Sequence, residues 1–260
     1  MAPEEEILRA FDDDMRRTPP AGVEGVRIEL DGRVRRAVGL DDTGWFAVEW
    51  SDLDESTAEE AIARQIERFA ALGRSFEWKY YDYDRPADLE QRLVAAGFVA
   101  EEDESVMIGS VATLPRSDPP DGVRIIEVAD EAGVDALIAV HDAAFGHPQP
   151  RYRETLLAQI RAGDRTNVLV VALAGETAVS AARLEMPPGR RFASLWGGGT
   201  VPDWRGRGIY RALVSYRAGI AAERGYEFLH VDASSQSRPI LERLGFVRIA
   251  RTTPYRYEIA

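Results

Sequence analysis

The stretch that decides the fold is Gly197-Gly-Gly-Thr-Val-Pro-Asp-Trp-Arg-Gly-Arg-Gly-Ile-Tyr-Arg211. It follows the apolar run Phe192–Trp196 and opens the amphipathic segment Ile209–Arg224. This order predicts a strand, a glycine-rich turn and a helix. The first N–H groups of such a helix have no partner within it, and the helix dipole makes that end positive. Together with the three arginines of the stretch, this geometry favours a phosphate ligand.

Other interpretations of the stretch are an ordinary tight turn with solvated arginines and one of the familiar nucleotide loops. The first is common for an isolated Gly-x-Gly. The stretch is not a P-loop, because no Gly-Lys-Ser/Thr follows it. It is not the dinucleotide fingerprint either, because a third glycine is missing and a hairpin-rich pattern precedes it.

A second motif lies downstream of the loop. The strand-like run Phe228–Ala233 is followed by Leu241-Glu-Arg-Leu-Gly-Phe246. Loop, helix, strand and Leu-Gly-Phe at this spacing resemble the GCN5-related N-acetyltransferases (GNAT). The strong part of the resemblance covers Leu195–Phe246, and the element order extends it over Val123–Ile259. The resemblance implies a mixed sheet flanked by helices and direct transfer of an acetyl group from acetyl-CoA to an amine, with CoA as product.

The same resemblance assigns binding residues. Gly198, Gly199 and Thr200 would pair with the pantetheine, and one of their N–H groups would polarise the thioester carbonyl. The pyrophosphate would meet the backbone of the residues that open the helix: Arg205, Gly206, Arg207, Gly208, Ile209, Tyr210 and Arg211. Ser234 or Ser235 stands where the family commonly has an asparagine, and both residues can equally cap the next helix.

Two further departures concern the cofactor loop and the catalytic acid. Tyr210 replaces a residue that the family prefers as Gly or Ala, and we expect its side chain to pack beside the cofactor. Leu241 occupies the position at which many members have a tyrosine that protonates the leaving thiolate. Either another group serves as the acid, or the thiolate leaves unassisted.

The candidate general bases all have structural alternatives. His230 has a suitable ordinary pKa but lies in an apolar run that is equally typical of a core histidine. Glu185 and Asp232 lie at predicted strand ends, where solvated carboxylates are common. Tyr255 and Tyr257 can line the acceptor site or pack in a closing hairpin of Val247–Ala250 with Tyr255–Ile259.

The charge distribution and one linker predict two domains. Up to Asp118 there are 28 acidic and 14 basic residues, a net charge of −14, whereas the remaining 16 acidic and 18 basic residues give +2. The proline-rich stretch 115–122 reads as a linker. We therefore predict an α/β (α+β) protein with an acidic, degenerate GNAT-like domain at 1–114 and a CoA-binding GNAT domain at 123–260. The shared strand–helix–Gly-Phe pattern before Gly97-Phe98 and Gly245-Phe246 supports this repeat.

Composition excludes several classes of protein. The chain has no cysteine, no long apolar run and no basic, apolar leader, which predicts a cytoplasmic protein without disulfides or membrane spans. Its three histidines lack metal-ligand spacing, and its net charge of −12 argues against nucleic acid. We expect a small-molecule or peptide amine as acceptor, a cationic one if the acidic half faces it. A homodimer is compatible with the sequence. The alternative functions are a non-catalytic acyl-CoA-binding or regulatory module and a scaffold.

Overall fold

The computed structural model describes residues 3–18, 25–40, 44–146 and 150–259. The chain divides into two compact units. The first comprises residues 1–107, 232–238 and 248–260, and the second comprises residues 108–231 and 239–247. The helices are α1 (Pro3–Phe11), α2 (Ala58–Leu72), α3 (Leu89–Ala95), α4 (Glu131–Phe145), α5 (Pro150–Ala162), α6 (Ile209–Glu223) and α7 (Arg238–Arg243).

The strands of the first unit begin with an antiparallel meander. The meander consists of β1 (Val26–Asp31), β2 (Val34–Gly39) and β3 (Phe46–Ser51). The later strands are β4 (Phe76–Tyr81), β5 (Val99–Ala100), β6 (Glu104–Ser110) and β12 (Val247–Tyr257). The order across the sheet is β1-β2-β3-β4-β12, with β5 also paired to β12. The pair β3–β4 is parallel, whereas β4–β12 is antiparallel. The hairpin between β1 and β2 turns at Gly32, where φ is +59°, as the dipeptide Asp31-Gly32 between two strand-like runs predicts.

The core of this unit lies between the sheet and the helices α2 and α3. Strands contribute aromatic residues, among them Trp78 and Tyr255, and α2 contributes Phe69. Phe69 stacks on Phe76 with ring centroids 4.1 Å apart. The aromatic strand predicted from the sequence is thus a core strand.

The second unit holds the strands β7 (Val123–Glu127), β8 (Asn167–Ala174), β9 (Thr177–Glu185), β10 (Phe192–Thr200) and β11 (Phe228–Ala233). They are ordered β7-β8-β9-β10-β11. Neighbours from β7 to β10 are antiparallel, and β10–β11 is parallel. This last pairing covers three residue pairs, from Phe192↔Phe228 to Ser194↔His230. The pairing with β11 thus ends at Ser194, before the end of β10 at Thr200.

Helices cover both faces of this second sheet. Leu169, Val171 and Ala181 pack against α4 and α5. Because side chains alternate between faces, the buried residues Val170 and Leu184 face the opposite side, where α6 packs. The predicted mixed, largely antiparallel sheet flanked by helices is confirmed.

The C-terminal strand departs from the prediction. Instead of a closing hairpin, residues 247–257 form one continuous strand, β12, that pairs with β4 from Thr252↔Tyr81 to Tyr257↔Phe76. Residues 248–260 consequently cluster with the first unit, and the boundary near residue 107 precedes the predicted linker. The contiguous domains 1–114 and 123–260 are therefore corrected, because a strand joins the unit whose backbone completes its hydrogen bonds. Among the described residues, no helix is long and apolar enough to cross a bilayer.

Candidate functional site

The glycine-rich stretch forms the N-terminal end of α6. A short 3₁₀ helix, Pro202–Trp204, leads into it, and Gly208 takes the N-cap position with φ of +87°. Gly206 also has a positive φ, of +75°. Both conformations favour glycine, because a Cβ is strained there. The first N–H that bonds within the helix is that of Ala212, which donates to the Gly208 carbonyl at 3.1 Å. The N–H groups of residues 209–211 thus point out of the helix end.

Three exposed arginines surround this end of α6, and they are held differently. Arg205 donates to two backbone carbonyls, those of Thr200 at 3.0 Å and Ala144 at 3.1 Å. Arg207 donates to the Asp203 carbonyl and lies 4.5 Å from the Trp204 ring centroid. The Arg211 guanidinium lies over the loop, 3.1 Å from where a Cβ of Gly208 would be. Arg205 therefore fixes the loop through hydrogen bonds to the backbone, whereas the positive charge of Arg211 lies next to Gly208 of the loop.

Strand β10 contains a bulge immediately before this loop. Between Trp196 and Gly199 β10 advances three residues, while β9 advances two, from Arg183 to Ala181. Gly197 lies in the bulge with φ of +57°. At Gly199 a Cβ would lie 2.9 Å from the Ala144 side chain, so only glycine allows α4 to approach this closely. The bulge re-aims the backbone of residues 196–199 away from a regular ladder.

Tyr210 packs against the bulge. A Cβ on Gly198 would lie 3.0 Å from Tyr210 Cε2. Burial raises the pKa of the Tyr210 hydroxyl. Tyr210 thus packs against β10 at Gly198.

The strand register brings several polar side chains to one face of the second sheet. Glu185, Ser194 and His230 lie directly opposite one another on β9, β10 and β11. Residues in register project to the same side of a sheet. Arg183 pairs with Leu169, which contacts the α4–α5 layer, so this side is the face that α4 and α5 cover. Glu185 and His230 are two strand spacings apart, roughly 9–10 Å.

The Glu185 carboxylate is engaged by an arginine. Arg183 Nη2 lies 3.0 Å from Glu185 Oε1, and Arg183 Nη1 donates to the Tyr152 hydroxyl at 2.6 Å. His141 packs on the Tyr152 ring, with centroids 5.7 Å apart, and burial lowers its pKa. The Glu185 carboxylate is thus already engaged in an ion pair with a cation of the same strand.

His230 is a buried imidazole on the same face. It is 4% exposed, and its Nδ1 lies 3.2 Å from Ser194 Oγ. The Trp196 ring packs edge-on against it, with centroids 6.2 Å apart. The structure thus places His230 on the strand next to the bulge, within a polar contact that orients its ring.

The remaining predicted residues belong to the first unit. Tyr255 is 4% exposed within the core there, and its hydroxyl lies 3.2 Å from Glu90 Oε1. This burial agrees with the packing alternative, and its catalytic role stays a prediction. Ser234 Oγ accepts from the Ser237 N–H at the start of α7, and Ser235 is exposed. The Asp232 carboxylate forms an ion pair with Lys79 at 2.6 Å.

Leu241 is fully buried at the position discussed above for a thiolate-protonating tyrosine. Its hydrocarbon side chain carries no proton to donate. Among the described residues, no group of three or more His, Asp or Glu side chains could hold a metal ion, and His147 lies outside those residues.

Sequence reasoning missed several residues around the bulge. Arg183, Ser194 and Trp196 share the face that carries Glu185 and His230, and Arg217 lies beneath β10. An alternation count along β9 and β10 could have found the first three. Nothing in the local sequence distinguishes Arg217 from a solvated helix arginine.

Comparison with protein families yields a direct match. Residues 134–246 match the model of the acetyltransferase (GNAT) family. The match contains α4, α5, the bulged strand β10, the loop at the start of α6 and the Leu-Gly-Phe motif. No curated protein matches the sequence.

Solved structures show the same fold over nearly the whole chain. A GCN5-related N-acetyltransferase from Kribbella flavida is 17% identical with a TM-score of 0.71, covering 98% of this chain and 96% of its own. A protein of the same description from Sphaerobacter thermophilus is 18% identical with a TM-score of 0.62, covering 98% and 85%. A tandem GNAT protein from the clavulanic acid biosynthesis pathway is 13% identical with a TM-score of 0.59, covering 94% and 86%.

Proposed function

We propose that this chain, whose residues 134–246 match the model of the acetyltransferase (GNAT) family, is an acetyl-CoA-dependent N-acyltransferase that moves an acetyl group to a primary amine. Transfer is direct, within a complex that holds donor and acceptor together. The observation that carries the proposal is the coincidence of that family match with the open, arginine-rich N-terminus of α6.

The loop at α6 suits the CoA pyrophosphate. The N–H groups of residues 209–211 point out of the helix end, and Arg207 and Arg211 are exposed beside them. Gly206 and Gly208 keep the approach free of Cβ atoms. A diphosphate gains both hydrogen bonds and the favourable end of the helix dipole at such a site.

The bulged strand suits the pantetheine and the thioester. Beyond Ser194, β10 has main-chain groups that β11 does not pair, and the pantetheine amides can bond to them as a partial strand. An N–H of Gly198 or Gly199 polarises the thioester carbonyl and stabilises the negative charge that forms on its oxygen during attack. Acetyl-CoA supplies the activated acyl group.

His230 is our candidate for the general base. An imidazole can take a proton from an ammonium group, and Ser194 orients the His230 ring. The amine, once neutral, attacks the thioester carbon, the C–S bond breaks, and CoA leaves as the thiolate. A thiol has an ordinary pKa of about 8–9, so the thiolate is a fair leaving group even though Leu241 offers no proton.

We further propose that the first unit is a degenerate partner that binds no CoA. Its helix α2 connects β3 to the parallel strand β4, as α6 connects β10 to β11. At the start of α2, however, Asp54 Oδ1 already accepts from the N–H groups of Ser56 at 2.9 Å and Thr57 at 3.0 Å. A carboxylate of the chain itself occupies the position of an incoming phosphate. The chain therefore holds one CoA.

Two observations favour a second candidate function, a non-catalytic acyl-CoA-binding module. The buried Leu241 cannot act as an acid, and Glu185 is bound to Arg183. This alternative shares the CoA site with the enzyme but predicts no turnover.

Calorimetric titration with acetyl-CoA, followed by an assay of CoA release with a panel of cationic and neutral amines, separates these functions. We expect one molecule of acetyl-CoA per chain and CoA release with at least one amine. Binding without turnover across the panel would establish the second function. Two sites would overturn the assignment of the first unit, and no binding would overturn both functions.

A further inference from the structure

Arg217 is a fully buried arginine in the middle of α6, and it is 1% exposed. Its Nε donates to the Leu213 carbonyl at 3.1 Å, one turn earlier in the same helix. Its Nη1 donates to the Arg183 carbonyl on β9 at 2.9 Å. Both acceptors are backbone groups.

Such a group is costly to bury. Burial lowers the pKa of Arg217 to about 10, and among the described residues only the Tyr210 hydroxyl opposes this effect electrostatically. An apolar side chain of similar volume commonly fills a buried site with no loss of stability. What distinguishes the Arg217 guanidinium from an apolar side chain at this position is the pair of hydrogen bonds that it donates.

The hydrogen bond to Arg183 lies at the edge of the β10 bulge. Arg183 is the residue that pairs with Trp196, and the register shift begins there. A bulge removes regular ladder bonds, and a buried carbonyl at its edge needs another donor. Arg217 Nη1 is a donor that reaches this carbonyl from the adjoining helix.

The guanidinium also lies beside the bulge. A Cβ built on Gly198 would lie 3.7 Å from Arg217 Nη2 and 3.0 Å from Tyr210 Cε2. The space next to Gly198 is thus filled by two side chains from α6. Tyr210 belongs to the segment that meets the pyrophosphate in our proposal, whereas Arg217 lies seven residues further along α6.

We infer that Arg217 is a positioning residue for acyl transfer: it sets the conformation of the bulge and so the direction of the N–H groups that meet the thioester. The inference rests on the proposed function for its consequence in catalysis. The structural part of the inference, that Arg217 sets the conformation of the bulge, concerns the protein without CoA and does not depend on the proposed function.

The test compares Arg217→Gln and Arg217→Lys with Arg224→Gln. Arg224 provides the control, because it is the exposed C-cap arginine of α6 and also donates to a backbone carbonyl, that of Arg165. The first readout is the spectrum of ¹⁵N-glycine-labelled protein without CoA, with the amide resonances of Gly197, Gly198 and Gly199 assigned. We expect these three resonances to shift in Arg217→Gln, to shift less in Arg217→Lys, and to stay in place in Arg224→Gln.

The second readout is steady-state kinetics with a productive amine. Misdirected N–H groups should lower kcat on the order of 100-fold in Arg217→Gln, with a much smaller change in KM for acetyl-CoA, since the loop at α6 is intact. Arg217→Lys keeps a donor and a charge and should recover part of kcat. Where Arg217→Gln fails to fold, Arg217→Lys carries both readouts.

The outcomes separate this inference from the proposed function. Unmoved glycine resonances in the Arg217 variants overturn it, whatever the activity. Shifted resonances with kcat equal to that of Arg224→Gln overturn the catalytic consequence. If the wild-type protein binds no acetyl-CoA, the proposed function fails, and the resonances alone decide whether Arg217 sets the bulge.

Discussion

Lys79 Nζ lies 2.6 Å from Asp232 Oδ2, and the two side chains are 12% and 1% exposed. The residues are 153 positions apart in the sequence, and Lys79 is the only lysine in the chain. Burial alone would lower the pKa of Lys79, but the attraction of Asp232, Tyr81, Glu77 and Glu104 outweighs it and raises the pKa. The ammonium thus stays charged within the first unit.

Breaking this pair should be strongly destabilising. Lys79→Met leaves a buried carboxylate without its cation, and we expect a loss of about 3–5 kcal/mol in the free energy of unfolding, measured by urea denaturation. The double variant Lys79→Met/Asp232→Leu should recover much of that loss. As a control, Arg191→Met breaks the exposed pair with Glu227 and should cost less than about 1 kcal/mol. Equal losses in the two single variants would show that the Lys79–Asp232 pair has no special weight.

Glu104 should make stability depend on pH. Burial raises the pKa of this carboxyl group to about 7, although Lys79 acts in the opposite direction. In the unfolded chain its pKa is about 4.3, so its favourable contribution is complete below that pH and is lost as the pH rises through 7.

The Glu104→Gln variant removes this titration. Relative to the wild type it should gain stability between about pH 4 and pH 8, on the order of 1 kcal/mol. The exposed residue Glu102 provides the control, and the pH dependence of the Glu104→Gln difference is expected to exceed that of Glu102→Gln. A Glu104→Gln difference that is flat with pH would contradict the burial of this carboxyl.

Gly208→Asp should abolish acetyl-CoA binding while the protein stays folded. The new carboxylate would repel the pyrophosphate at the N-terminus of α6, raising Kd at least about tenfold by calorimetry. Gly225→Asp is the matched control, since Gly225 has φ of +82° against +87° at Gly208 and so imposes similar strain. Unchanged acetyl-CoA affinity in Gly208→Asp would contradict the assignment of this loop to the pyrophosphate. An equal loss of affinity in Gly225→Asp would show that backbone strain alone explains the effect.

His230→Gln should lower kcat about 100-fold or more, with little change in acetyl-CoA affinity, because a general base acts on the amine. His141→Gln replaces the half-buried imidazole on α4 and should retain most of the activity. Glu185→Gln should also have the smaller effect, because its carboxylate is already paired with Arg183. If kcat in His230→Gln equals that of His141→Gln, His230 is a core residue and not the base.

The loop at α6 was predictable because its determinants are local. Glycines at 206 and 208 permit positive φ, a helical pattern follows, and the helix end exposes its N–H groups whatever surrounds it. The hairpin at Gly32 was predictable for the same reason. Spacing between the loop and the Leu-Gly-Phe motif then gave the resemblance to the GNAT family, whose model matches residues 134–246.

The pairing of β12 was not predictable from local signals. The segment 247–257 contains residues typical of a strand, but its partner β4 lies more than 170 positions earlier, as the bond from Thr252 Oγ1 to the Tyr80 carbonyl shows. The strand also includes Pro254, a residue that is uncommon in strand interiors. Strand propensity indicates that a segment forms a strand, but only the tertiary structure determines which strand it pairs with.

The sequence by itself thus determined the glycine-rich turn, the strand–helix alternation and the resemblance to the GNAT family, because each depends on residues close together in the chain. Only the tertiary structure decided which polar side chains are buried and with which partners. From the sequence alone Arg217 resembles a surface arginine, and it is buried because α6 packs on β9. Lys79 and Asp232 come into contact only within the folded first unit. Burial and distant pairing depend on contacts between segments far apart in the chain, and local propensity carries no information about them.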